Sequence, residues 1–226
     1  MKALIGANVV MFLATSFMPA LVNHLGLVPV LTLRELQVYR LVTYMFIHAG
    51  LLHILFNMLA LWMFGTELEQ MWGTRFFLKF YFIAGIGAGA LTVLLTLLPV
   101  GPLRQLSVAT IVGASGAIYG LLLAYAMYFP QRRIYMYLVF PIPARVFVLI
   151  MGAIALYLSM SDTGVANATH LSGLLVAYLY LKGARLRLNP WAEVKYRYIK
   201  WKFNRVRKKF DVYSGGRADD WDRRVH

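Results

Sequence analysis

The stretch VGASGAIYGLLLAY, residues 112–125, is apolar enough to enter a lipid bilayer, yet it carries a serine near its start. Ser115 sits between Ala114 and Gly116, with further glycines at 113 and 120, and the run stays apolar to Phe129, where Pro130 ends it. Polar groups in hydrocarbon are costly, and they face a bundle interior or a water-filled cavity. Ser115 therefore has two readings. Small residues let membrane helices approach closely, so it can be a packing residue. A chemical role needs partners from elsewhere in the chain.

The rest of the composition places that stretch in a membrane protein. Of 226 residues, 60% are hydrophobic and 14% charged, and the mean hydropathy is +0.64. A soluble domain of this size cannot hide so much apolar surface. The chain has no cysteine, which excludes disulfides, a thiol nucleophile and a thiolate metal site. The opening MKALIGANVVMFLATSFMPALV has an apolar run longer than the roughly 7–15 residues of a signal-peptide core, with no clean small-x-small cleavage site, and reads as a retained first span.

A span needs about 20 residues to cross ~30 Å of hydrocarbon. Six candidates meet that need closely enough: Ala3–Leu21, Leu52–Gly65, Phe76–Leu98, Ser115–Phe129, Ala144–Met160 and Asn167–Leu181. Their apolar runs are continuous rather than alternating, which excludes barrel strands. The expected fold is an all-α, six-transmembrane helical bundle over residues 1–183, followed by a basic tail over 184–226. Residues 182–226 hold 14 of the 23 Lys/Arg and five of the nine acidic residues. Positive charge stays on the cytoplasmic side, so the tail and, with an even span count, the N-terminus are both expected there. The expected setting is a multi-pass protein of a prokaryotic plasma membrane. The segment VNHLGLVPVLTLRELQVYRLVTYMFIHAGL, residues 22–51, is broken by Gly26, Pro29 and charges, and reads as a structured interfacial segment.

This topology makes spans two, four and six parallel. At ~1.5 Å per residue from their inner ends, Ser115, His170, His53 and Asn57 fall ~15–22 Å up, in one depth range. Ser115 and His170 supply a nucleophile and a general base, the minimum for acyl transfer. No acidic residue shares their depth, so a dyad rather than a triad is expected. Tyr119 lies at i+4 from Ser115 on the same face and can orient the imidazole by ring contact; plain aromatic packing is the other reading. Acyl transfer also needs donors for an oxyanion. His53 and Asn57, at i and i+4, offer a ring N–H and an amide, and the Ser115 N–H at a helix start adds a third. Gly113 and Gly116 let the backbone approach a bound carbonyl. Asn57 can instead bond between helices. A zinc set of His48, His53 and His170 lacks both a carboxylate and an H-E-x-x-H motif, so no metal site is expected. Since position 117 is Ala, GASGA departs from the G-x-S-x-G elbow.

HILFN (residues 53–57), GASGAIYG (113–120) and NATHLSGLLVA (167–177) together resemble the rhomboid family of intramembrane serine proteases. The family's G-x-S-G is met by Gly113, Ser115 and Gly116. Its A-H-x-x-G-x-x-x-G is met in part, with Thr169 for the alanine and Ala177 for the last glycine. Its Trp-Arg pair appears as Tyr39-Arg40. The resemblance implies a Ser115–His170 dyad with Tyr119 packed on the imidazole, and an oxyanion hole of His53, Asn57 and the Ser115 amide. Asn167 matches a family position in the outer loop before span six. It also implies single-span transmembrane protein substrates, lateral access beside span five, and no cofactor.

In NPWAEVKYRYIKWKFNRVRKKF, apolar residues at 192, 196, 199, 203, 206 and 210 step by four and three, which predicts a short cytoplasmic amphipathic helix over about 191–210. Its basic face fits anionic lipid; nucleic acid is not an expected partner. Two other classes compete with the protease. A non-catalytic rhomboid-like protein would bind or escort transmembrane clients. A transporter would show inverted repeats and a midplane ionisable residue, and no convincing repeat is visible.

Overall fold

The computed structural model describes residues 1–99, 106–136, 140–159, 165–186 and Tyr198. The chain divides into two units, Met1–Leu181 and Lys182–His226. Most of the second, including the amphipathic helix expected over about 191–210, lies outside the described residues.

The first unit is mostly helical. In chain order the described helices are α1 (Lys2–Phe17), α2 (Ala20–Leu25), α3 (Pro29–Arg34), α4 (Arg40–Thr43), a single 3-10 turn (Tyr44–Phe46), α5 (Leu51–Trp72), α6 (Thr74–Leu95), α7 (Ser115–Tyr128), α8 (Ala144–Ser159) and α9 (Val165–Leu186), whose last five residues fall past the first unit's end. By length and composition, α5 and α6 are long and apolar enough to cross a membrane; α1, α7 and α8 are shorter apolar helices. The expected Ala3–Leu21 span is broken. Helix α1 stops at Phe17 because Pro19 lacks an N–H and pushes Met18 out of the helical region, to φ −130 and ψ 76. Helix α9 starts two residues before the expected Asn167 and runs five past Leu181.

One departure from an all-α fold stands between α7 and α8. Strands β1 (Arg133–Met136) and β2 (Phe140–Pro143) pair antiparallel, with Arg133 opposite Pro143 and Ile134 opposite Ile142. Isoleucine, tyrosine and phenylalanine favour the pleated form. Prolines 141 and 143 cannot donate to a further ladder, so they suit a two-stranded edge.

Helix α7 is central, packing on α5, α6 and α8. It is buried nearly all round, from Gly116 to Ala126, apart from Ser115, Tyr119 and Leu123. Helices α5 and α6 form a hairpin through Gly73 alone, whose φ of +77 only glycine takes readily. The segment between α1 and α5 is folded, as expected, and is stapled from inside by Arg40. That side chain is 3% exposed; its Nε donates to Gln37 Oε1 at 2.6 Å and one terminal nitrogen to the Asn23 carbonyl at 2.8 Å. Its neighbour Tyr39 donates to the His24 carbonyl at 3.2 Å.

Candidate active site

Ser115 is the first residue of α7, and the chain reaches it through a tethered approach. Leu27 and Ile111 exchange both backbone hydrogen bonds, at 2.9 and 2.8 Å. Two residues on, the Gly113 N–H donates to the Tyr44 carbonyl at 2.9 Å. Tyr44 is itself fixed: its ring is fully buried and its hydroxyl donates to the Gly85 carbonyl of α6 at 2.7 Å. Gly113 turns the chain into the helix with φ +117, a conformation that side chains resist. As the first helical residue, Ser115 keeps an N–H with no intrahelical acceptor.

His170 comes from α9, one turn after Asn167. Its Nε2 lies 2.8 Å from Ser115 Oγ, across 55 residues of sequence. The serine hydroxyl donates when the ring proton sits on Nδ1. That nitrogen is buried and has no hydrogen-bond partner among the described residues, so no carboxylate joins the pair there. Tyr119 stacks on the imidazole, with ring centroids 4.3 Å apart and planes 5° apart. That contact leaves the ring little freedom to tilt away from the serine.

Close backbone approach sets this register. A Cβ added at Gly173, three residues after His170, would run into the backbone carbonyl of Gly116. At Gly116 it would lie 2.9 Å from Ala88 Cβ and 3.3 Å from Thr169 Cγ2. Thr169, next to His170 in sequence, is 2% exposed. Its hydroxyl lies 3.1 Å from that of Thr92 on α6, and Thr92 donates in turn to the Ala88 carbonyl at 2.8 Å. A hydroxyl carries one proton, so with that of Thr92 given to the Ala88 carbonyl the bond between the two threonines is donated by Thr169.

The remaining expected residues cluster around this pair or just outside it. His53 accepts from the Ala49 N–H through Nδ1 at 3.3 Å, which assigns its ring proton to Nε2. That Nε2 faces Gly113: an added Cβ there would sit 2.7 Å from it and 3.7 Å from Ser115 Oγ. A protonated nitrogen and the serine oxygen thus flank one bare glycine. Asn57 is buried at 6% exposure, and its amide nitrogen donates to the His53 carbonyl at 2.7 Å. Asn167 is half-buried inside the first turn of α9 rather than in the loop before it. His48 packs edge-on against His53, centroids 5.0 Å apart. Among the described residues no group of three or more His, Cys, Asp or Glu converges.

Two residues that shape this geometry escape a reading of the sequence. Tyr44 acts through its carbonyl, which leaves no trace in residue type. Thr92 is legible as a hydroxyl in the apolar run of α6, but its partner lies 77 residues away.

The Rhomboid domain profile matches residues 35–185, which takes in every residue named above from Tyr39 to Thr169 and His170. The chain belongs to the rhomboid family. Rhomboids are integral membrane proteins. Rhomboid protein 1, mitochondrial, of Saccharomyces cerevisiae is 32% identical over 142 residues, 60% of this chain and 38% of its own. Rhomboid protease GlpG of Yersinia pestis is 29% identical over 144 residues, 64% of this chain and 47% of its own. Rhomboid protease GluP of Bacillus subtilis is 38% identical over 84 residues, 37% of this chain and 14% of its own. The chain therefore spans less than half the length of each of these relatives, two of which are named as proteases.

Proposed function

We propose that this rhomboid is an intramembrane serine endopeptidase that cleaves single-span transmembrane proteins through a Ser115–His170 dyad. The observation that carries the reading is the 2.8 Å approach of His170 Nε2 to Ser115 Oγ, on an imidazole stacked over Tyr119. Six helices, α1 and α5 to α9, form the spans, with the basic tail and the N-terminus on the cytoplasmic side of a prokaryotic plasma membrane. The body is residues 1–183, and the tail from 184 onward is an anionic-lipid contact. No cofactor takes part.

The chemistry follows from proton positions. His170 Nε2 takes the Ser115 proton as Oγ attacks the scissile carbonyl. The oxyanion receives hydrogen bonds from the Ser115 N–H, the His53 Nε2–H and the Asn57 amide, beside the side-chain-free Gly113. Such donors stabilise charge that is absent in the ground state, each worth about 3 kcal/mol of barrier. The imidazolium then gives its proton to the leaving amine, and water, activated by the same nitrogen, releases the acyl group. Asn167, half-buried one turn before His170, belongs to the shell around the dyad. Substrate enters beside α8, whose outer face bears exposed Leu149, Leu156 and Tyr157. A peptide bond within an intact helix is shielded by its own turn, so a helix that unwinds easily is preferred.

The test is covalent labelling of the full-length protein by a fluorophosphonate. Labelling is expected in the wild type and lost in both Ser115→Ala and His170→Ala, with thermal unfolding unchanged in the former. Absence of an adduct on folded wild-type protein overturns the protease reading and favours the escort class, in which Ser115→Ala keeps client binding.

A further inference from the structure

A second polar cluster lies at the opposite end of α7 from Ser115. Glu67, near the end of α5, accepts from the Tyr125 hydroxyl through Oε1 at 3.2 Å and from Arg132 through Oε2 at 3.1 Å. These three residues and Arg133 line a cavity of about 330 Å³ whose remaining walls are Met63, Phe64 and Ile134. Ten residues of α7 separate Tyr125 from Ser115, ~15 Å along the axis. The dyad chemistry makes no use of this cavity, and a ligand bound there is independent of the protease reading.

Its electrostatics select a ligand. Both carboxylate oxygens of Glu67 are already engaged, and its charge is matched by Arg132. Arg133 then leaves the cluster with one net positive charge. Two adjacent guanidinium groups match a phosphate diester, which accepts from planar N–H donors. The apolar wall argues against a small inorganic anion, which would leave Met63, Phe64 and Ile134 facing water. A zwitterionic head group would leave the net charge uncompensated. The position fits as well: the cavity opens just past the end of α7, where the β1–β2 hairpin begins, and long basic side chains near helix ends reach the head-group level.

We propose that this cavity binds the head group of an anionic glycerophospholipid, with its phosphate on Arg132 and Arg133 and its first acyl methylenes on Met63, Phe64 and Ile134. Bound there, the lipid ties the end of α5 to the hairpin that leads into α8.

The experiment measures thermal unfolding of the full-length protein in detergent, titrated with dihexanoylphosphatidylglycerol, dihexanoylphosphatidylcholine or inorganic phosphate. The expected result is a saturable rise in Tm with phosphatidylglycerol alone. Arg133→Gln should weaken its apparent affinity about tenfold, the loss of one charge-assisted contact, and leave fluorophosphonate labelling of Ser115 unchanged. Arg75→Gln, outside the cavity, should bind as the wild type does. Arg132→Gln also frees Glu67 and destabilises on that account, so Arg133→Gln, which keeps the ion pair, decides. An equal response to phosphatidylcholine overturns the proposal, and so does an equal response to inorganic phosphate. Wild-type phosphatidylglycerol affinity in Arg133→Gln overturns it too, and moves anionic-lipid binding to the basic tail.

Discussion

Against α6 and α9, helix α7 packs backbone to backbone; toward α8 the bundle meets side chains. On the first side a Cβ added at Gly116 or Gly120 would come within 2.9 Å of Ala88 or 2.8 Å of Ala84 on α6, and one added at Gly173 of α9 would strike the Gly116 carbonyl. On the second side, Gly152 of α8 would bring a new Cβ only to ordinary contact, 3.5 Å from Leu174. Helix α8 buries Ala144, Val148 and Ala155 and leaves Leu149, Ile154, Leu156 and Tyr157 exposed. Lipid tails are as apolar as leucine, so burial alone gives membrane helices little reason to associate, and close packing of small residues has to supply the attraction. The chain concentrates that packing where Ser115 and His170 must hold register. The element beside which substrate is proposed to enter is joined more loosely.

The largest effect is expected at Gly173→Ala. The new methyl has no room beside the Gly116 carbonyl, and α7 and α9 must separate. Overpacking of this kind costs about 3 kcal/mol, and the separation opens the 2.8 Å Ser115–His170 contact. A variant with wild-type Tm and wild-type labelling would break the contrast between the tight α7–α9 seam and the looser α8–α9 one. Gly113→Ala comes next. Its φ of +117 strains any side chain by about 1–3 kcal/mol, and the methyl would press on His53 Nε2. Labelling should fall by more than the modest loss in Tm explains, since the displaced ring is a proposed oxyanion donor. Parallel losses in both measurements would reduce Gly113 to a folding residue.

Much of this is legible in the residues alone. Ser115 and His170 stand out because a hydroxyl and an imidazole are conspicuous in apolar runs, and parallel spans put them at one depth. The long helices follow from uninterrupted apolar length. What stays hidden is of two kinds. Some signals are present but outweighed: Pro19 sits inside a mostly apolar run from Ala3 to Leu21, and the alternation before Pro141 and Pro143 is absorbed into a connection between spans. Others are long-range pairings that no local pattern encodes. Arg132 meets Glu67 across 65 residues, and the Gly113 N–H finds the Tyr44 carbonyl. Only the family resemblance puts Asn167 in a loop, and the helix that holds it starts two residues earlier, at Val165.

The hydroxyl pair between α6 and α9 sharpens the comparison at a smaller scale. Thr169 stands where the family resemblance calls for alanine, and its bond to Thr92 adds a polar clasp to a seam otherwise held by small residues. Thr169→Val keeps shape and removes the donor, at about 1 kcal/mol. Thr92 still donates to Ala88, so no partner is stranded without a bond of its own. Labelling should slow by a few-fold, and Thr169→Ser should restore it. If instead Thr169→Ser slows labelling and Thr169→Val does not, the methyl against Gly116, not the hydroxyl, sets the position of His170.

The smallest effect belongs to α8. Glycine inside a helix is worth roughly 0.5–1 kcal/mol less than alanine, because it gives up more backbone freedom on folding. At Gly152 the added methyl meets Leu174 at ordinary contact distance, so Gly152→Ala should be neutral in Tm or raise it slightly. The same chemical change thus carries opposite signs at residues 152 and 173, because one faces a leucine side chain at ordinary contact distance and the other faces backbone with no room. The functional consequence is sharper than the thermodynamic one. If substrate enters by displacing α8, a stiffer helix with one more contact to α9 should slow cleavage of a transmembrane substrate while leaving fluorophosphonate labelling, which needs only the dyad, at the wild-type rate. Equal slowing of both would mean that α8 supports the dyad directly, and the division between a rigid seam and a loose one would fail.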